Sequence, residues 1–231
     1  GVAQGGIVDT PAGDWYAVLF QDEGALGRVP VLVPVSCEND MPVFGIDGKV
    51  PHSIETQSTR PDHIYEPVVA SDEFKYLPDA DGRIHLSQVW QWNHTPNNDL
   101  WSVDGEKGLL QIASGKLSEN VTRAVNVLTQ RTVWPACEAS VLVDGSMLND
   151  GDYAGLCALQ GRYGMVAITK ENGKYYLVMK GKPGKANYVM GKTCDRTPGE
   201  EYARIPWPEP QATLKVYMRF DAMTDEAAFY Y

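Results

Sequence analysis

No run in this 231-residue chain approaches the roughly 18 consecutive apolar residues of a membrane-spanning helix. Positive charge is scarce. Twenty Lys and Arg stand against 30 Asp and Glu, a formal net charge of −10. That balance disfavours nucleic acid and anionic membrane surfaces as partners. It suits a neutral ligand, and equally an ordinary acidic surface. The four cysteines (Cys37, Cys137, Cys157 and Cys194) form no close CxxC pair, so neither a zinc knuckle nor a thioredoxin-type site is supported. Cys137 and Cys157 lie in apolar strand-like runs and read as buried free thiols. A disulfide remains the alternative, because pairing is not readable from spacing, and the redox compartment stays open. His52, His63, His85 and His94 lack metal-ligand spacing. No segment carries a convincing 3.6-residue period. Residues 119–128 come nearest, but Val121, Thr122, Val125 and Val127 favour strands. No repeat of 20 to 50 residues is evident. There is no initiator Met and no signal peptide.

What remains is a β-rich pattern with enough apolar content, 43%, for a packed core. Ile7 to Thr10, the turn Pro11-Ala12-Gly13-Asp14 and the run Trp15 to Phe20 read as strand, tight turn, strand. Val29 to Val35 reads as a further strand. Two or three strands do not form a stable sheet alone. This opening is therefore expected to pair with upstream residues or with the rest of the chain.

Downstream, period-2 alternation is clean. Leu214, Val216, Met218 and Phe220 face one side, and Lys215, Tyr217 and Arg219 the other. Ala139, Val141 and Val143 alternate with Ser140 and Leu142, and Tyr175, Leu177 and Met179 with Tyr176, Val178 and Lys180. Turn signals fall at Asp144-Gly145, Asn149-Asp150-Gly151, Asn172-Gly173 and Pro183-Gly184. Asn172-Gly173 predicts a two-residue hairpin. Many short strands with frequent turns make an all-β sandwich or barrel. The organisation read from the chain is a strand section over 1–48, closed by Gly45 to Lys49. A polar linker follows over 49–66, then a second domain over 67–231.

The wording of several segments is distinctive. Gln4 to Thr10, Gly13-Asp14-Trp15-Tyr16, Leu19-Phe20-Gln21-Asp22 and Gly27-Arg28-Val29-Pro30 resemble the end of the catalytic domain of glycoside hydrolase family 43. Gln91-Trp92-Asn93-His94, Trp101-Ser102-Val103, Leu128-Thr129-Gln130-Arg131 and Gly151 to Leu156 resemble the β-sandwich that follows it in β-xylosidase-like members. The resemblance spans most of the chain, with its motifs in order. It implies the final strands of a five-bladed β-propeller over 1–48 and a concanavalin A-like antiparallel β-sandwich over 67–231. It also implies that the natural polypeptide continues beyond both ends.

The same resemblance implies the chemistry. The family cleaves xylosides and arabinosides by inversion, with an Asp base, a Glu acid and a second Asp that tunes the acid. These residues belong to upstream blades, and no position here matches their motifs. No catalytic residue is therefore expected in this chain. Asp22 with Glu23, and Asp150 with Asp152, are close in sequence but read as surface groups. Arg28 matches the family arginine that points into the pocket and holds substrate. A strand-end arginine in a surface salt bridge is the alternative. Gln4 lies at or beside a position that often carries an axial histidine, absent here, which puts that ion site in doubt. Gln21 is a further substrate-contact candidate, against a plain hairpin role.

Trp90, Trp92, Trp101, Trp134 and Trp207 read as core or interface rather than as a glycan platform. His94 reads as a hydrogen-bonded structural residue. Asp144, Asn149, Asp150 and Asp152 could supply hard oxygen ligands to a structural calcium, or simply shape two turns. No cofactor is required by these readings. The expected partners are a xylo- or arabino-oligosaccharide and the missing blades. The competing readings are a stand-alone carbohydrate-binding sandwich and a purely structural one. Cellular location, bacterial cytoplasmic or secreted, stays open.

Overall fold

The computed structural model describes residues 1–160, 162–182, 198–221 and 224–231. The predicted turn at Pro183-Gly184 and Cys194 lie outside them. The chain divides into two compact units, Gly1–Glu66 and Pro67–Tyr231. Strands dominate both, and the short helical turns among the described residues are all of the 3₁₀ type.

The first unit is a four-stranded antiparallel meander of β1 (Val2–Asp9), β2 (Trp15–Asp22), β3 (Arg28–Glu38) and β4 (Met41–Phe44). The turn at Pro11 to Asp14 forms where the sequence places it. The Gly13 amide donates to the Thr10 carbonyl at 2.9 Å, and the Asp14 amide to Thr10 Oγ1 at 3.2 Å. The β3–β4 hairpin turns on Asn39 and Asp40, both at positive φ (51° and 63°). Short polar side chains tolerate that conformation, so Asn-Asp closes a two-residue loop here without glycine. β3 is longer than the apolar run suggests, because Ser36, Cys37 and Glu38 pair with β4.

Both faces of this sheet are apolar. Val8, Val18 and Leu32 share one face by register, and Ile7, Trp15 and Val29 the other. Each of the six is between 39% and 50% exposed. Ala17 and Val33, opposite one another in the register, are buried.

The second unit is a two-sheet sandwich preceded by a long irregular segment. One sheet has the order β10 (Tyr153–Gln160), β11 (Arg162–Glu171), β12 (Lys174–Lys182), β13 (Glu200–Trp207). The other has the order β15 (Asp225–Tyr230), β14 (Gln211–Phe220), β9 (Ala136–Asp144). Val166, Ile168 and Leu177 of the first meet Ala212 and Leu214 of the second, with Val141, Val143 and Phe229 packed around them. The alternation in β14 is as read: Leu214, Val216 and Phe220 are buried while Lys215, Tyr217 and Arg219 are exposed. In β12 it is not. Val178 is as buried as Leu177, and Ala167, its partner on β11, is buried too. Both central strands are thus covered on two faces, and the 3₁₀ turn Val121–Arg123 lies against β11. Asn172 and Gly173, at φ 51° and 74°, join β11 to β12 as the predicted hairpin.

The segment before β9 holds β5 (Gln91–Trp92) paired with β8 (Leu128–Thr129), and β6 (Trp101–Asp104) paired with β7 (Leu109–Ile112). Side chains fix the rest. The Gln130 amide accepts from the Ala70 amide at 3.0 Å and donates to its carbonyl at 2.8 Å. Asn126 makes the same pair of bonds to the Asn97 backbone, both at 2.9 Å. Each amide thereby stands in for a strand partner.

Candidate functional site

The candidate substrate contacts lie at one end of the four-stranded sheet. There β1 begins, β2 ends and β3 begins, and the register sets Val2 against Gln21, Gln21 against Val29, and Asp22 against Arg28. Gln4 sits in a β-bulge between Ala3 and Gly5, at φ 50°. The bulge depends on Gly5: a Cβ there would lie 1.9 Å from the Val18 carbonyl oxygen. Gln4, Gln21 and Arg28 therefore come to the same end of the sheet. They do not share a face. Paired residues in an antiparallel ladder point the same way, and neighbours along a strand point oppositely. Arg28 shares a face with Asp22, Phe20 and Pro30, whereas Gln21 shares the other with Val2 and Val29.

Arg28 is exposed, and its guanidinium carbon lies 4.4 Å from the centre of the Phe20 ring. No carboxylate among the described residues comes within ion-pair distance of it. A ring beneath a guanidinium fixes its plane and leaves its N–H edge outward. Phe20 was not singled out by sequence. Its signal is its place one diagonal step from Arg28 on the same face.

Two cavities, of about 310 and 450 Å³, occupy the opposite end of the same sheet. Thr10, Asp14, Tyr16 and Thr56 to Thr59 line the first, and Tyr16, Pro34 and Ile54 help to line the second. Neither includes Gln4, Gln21 or Arg28.

In the second unit the acidic turn residues are engaged by backbone. Asp144 Oδ1 accepts from the Ser146 amide at 2.8 Å, and its other oxygen from the Gln211 side chain at 2.8 Å. Hydrogen bonds with Ser146, ahead of that from Gln211, hold its carboxyl below the ordinary range. Asp152 accepts from the Asn149 amide at 3.0 Å, and Asp150 from the Gly173 amide at 3.2 Å. Among the described residues no group of three or more His, Cys, Asp or Glu is placed to hold a metal ion.

The tryptophans divide. Trp90 donates to Asp72 at 2.7 Å and stacks on Phe74 at 5.5 Å. Asp72 also accepts from the Tyr76 hydroxyl and the Phe74 amide. Burial pushes the Asp72 carboxyl up, but these three hydrogen bonds outweigh it and hold the group below its ordinary value. Trp92 and Trp101 pack at 5.3 Å, and Trp207 packs against the core cluster. Trp134, at 66% exposed, is not a core residue, which leaves the interface half of its reading. His94 contacts the Thr122 carbonyl at 3.0 Å. Cys37, Cys137 and Cys157 are free; Cys37 is exposed, and Cys137 and Cys157 are half-buried rather than fully buried. Burial pushes the Cys157 thiol up to about 11.

Residues 83–231 match the family model of the β-xylosidase C-terminal concanavalin A-like domain. The chain belongs to that family. It is 27% identical over 202 residues to a putative β-xylosidase of Xylanibacter ruminicola, covering 85% of this chain and 38% of the relative. A solved bifunctional GH43-CE chain of Bacteroides eggerthii superposes with a TM-score of 0.80 at 38% identity, over 100% of this chain and 28% of that one. A second solved structure is a GH43 glycoside hydrolase engineered to display both endo-xylanase and exo-arabinofuranosidase activity. It has a TM-score of 0.78 at 23% identity over 99% of this chain and 44% of that one, which supports the fold. The chain thus spans less than half of the length of each of these three proteins. Residues 83–231 are a C-terminal domain of β-xylosidase-like glycoside hydrolases.

Proposed function

We propose that this chain is the C-terminal portion of an exo-acting glycosidase that removes xylose or arabinose from plant hemicellulose by inversion. In this reading the four-stranded meander is the final blade of a five-bladed propeller, and the sandwich braces it. The carrying observation is the meander with apolar residues on both faces. A sheet of that kind is stable only between two further layers, as a blade is between its neighbours.

Inverting hydrolysis needs one carboxyl group to protonate the leaving oxygen and another to activate water on the opposite side of the sugar. Both would come from upstream blades. Arg28 would then supply donors to sugar hydroxyls or to one of those carboxylates, its plane fixed by Phe20. Gln21 and Gln4 would serve as lesser polar contacts at the same strand ends.

The test compares this chain with the longer polypeptide on 4-nitrophenyl β-D-xyloside and α-L-arabinofuranoside. The longer polypeptide is expected to turn over at least one substrate, and the chain alone neither. Turnover by the isolated chain would place the acid and base among its own carboxylates and overturn the reading. So would inactivity of the longer polypeptide on both substrates.

A further inference from the structure

The two sheets of the sandwich treat their outward tyrosines differently. On the sheet of β10 to β13, Lys180 Nζ lies 4.3 Å over the Tyr153 ring and Arg204 Cζ lies 5.1 Å over the Tyr176 ring. Arg204 is itself clamped by Glu201 and Glu171, at 2.7 and 2.9 Å. Those ring faces are occupied.

On the sheet of β15, β14 and β9 they are open. Lys215 pairs with Tyr230 on one side and Ser140 on the other, and Tyr217 pairs with Ala228 and Glu138. By alternation these residues share the face opposite the buried Leu214 and Val216. Tyr217 is 40% and Tyr230 53% exposed. They are diagonal neighbours, a spacing of roughly 7–8 Å. Among the described residues, the side chains of Tyr217, Tyr230, Lys215, Ser140 and Glu138 make no hydrogen bond, ion pair or ring contact. The face is also close to neutral, with Lys215 and Arg219 against Glu138, Glu226 and Asp144, whereas the chain carries −10.

We infer that this face is a binding platform for a neutral glycan chain. Open aromatic rings stack on the apolar C–H faces of pyranoses. The Lys215 ammonium beside the rings, with the Ser140 hydroxyl and Glu138 carboxylate on the adjoining strand β9, offers donors and acceptors to sugar hydroxyls. The near-neutral charge suits an uncharged chain over a polyanion or a polycation. The choice of a pentose polymer as probe rests on the function proposed above.

The test titrates xylohexaose and soluble arabinoxylan into the full chain by calorimetry, with no turnover required. Binding of at least one probe is expected, weakened about tenfold by Tyr217→Ala and by Tyr230→Ala, and unchanged by Tyr153→Ala. Glu138→Gln, on an exposed strand position, is expected to weaken binding without touching a ring or the core. No binding of either probe, or binding as tight as the parent's in both tyrosine variants, would overturn the inference. Protection of Tyr217 and Tyr230 from chemical modification in the ligand-free longer polypeptide would overturn it as well, assigning the face to another part of that protein. Intact turnover by the longer polypeptide with no platform binding would sink this inference alone. Platform binding in an inactive longer polypeptide would sink the proposed function and leave the platform standing.

Discussion

Arg28 lies over the ring of Phe20, 4.4 Å from its centre, although its direct cross-strand partner is Asp22. The guanidinium therefore rests on an apolar plane and spends none of its donors on the adjacent carboxylate. In the longer polypeptide, Arg28→Ala is expected to lower kcat/KM about 10- to 150-fold, the loss of charge-assisted hydrogen bonds worth about 1.5–3 kcal/mol. Arg28→Lys should recover little, because an ammonium lacks the planar fork. Steady-state kinetics on the aryl xyloside and arabinofuranoside check both. Wild-type kinetics in the alanine variant would return Arg28 to a plain surface role.

Gly5 is the position where β1 presses closest on β2. A methyl group there would meet the Val18 carbonyl oxygen at 1.9 Å, and backbone does not yield cheaply. Gly5→Ala is expected to destabilise the first unit by about 2–4 kcal/mol. Gly6, whose Cβ would meet nothing within 4 Å, is the control. Thermal unfolding of both variants separates close approach from a general glycine effect.

The Asp72 carboxyl is held below its ordinary value in the fold by the Tyr76 hydroxyl, the Trp90 indole and the Phe74 amide, against the upward push of burial. A depressed folded value means that stability is present above the unfolded pKa and is lost as pH falls through the folded one. The chain should therefore weaken as pH falls below about 4. Asp72→Asn should be less stable at neutral pH, and its remaining stability should depend less on acid. Chemical denaturation between neutral pH and pH 3 measures the difference; parallel curves for the two proteins would show that Asp72 contributes nothing to acid sensitivity.

Leu214 is fully buried between the sheets. Leu214→Ala should cost about 2–5 kcal/mol. Trp134→Ala, at a side chain 66% exposed, should stay within about 0.5 kcal/mol of the parent. Guanidinium unfolding of the two variants tests whether the larger residue is the lesser support.

Much of this architecture was legible because strands announce themselves by alternation. Leu214 to Phe220 reads directly as a half-buried strand, and Asn172-Gly173 as its own kind of turn. Val178 escaped that logic. Its strand is covered on both faces, and alternation vanishes when neither face meets water. The segment between residues 67 and 134 was illegible for another reason. Its shape rests on Asp72, Gln130 and Asn126 bonding to groups 18 to 60 residues away, and such pairings leave no local signature. At the candidate site, Arg28, Gln4 and Gln21 came from motif resemblance, which places residues along a strand but not on a face. The opposition of Gln21 to Arg28 follows only from the register. Sequence did not separate Trp134, which is exposed, from the packed tryptophans, because a large aromatic residue reads the same in a core and at an interface.

The twin bonds of Asn126 also bear on how the protein ages. Its amide nitrogen is the donor to the Asn97 carbonyl, and its oxygen the acceptor from the Asn97 amide. Spontaneous deamidation would keep the acceptor, remove the donor and set a negative charge against a carbonyl, all at a side chain that is buried. A gain of one mass unit at that residue would undo the clamp from within.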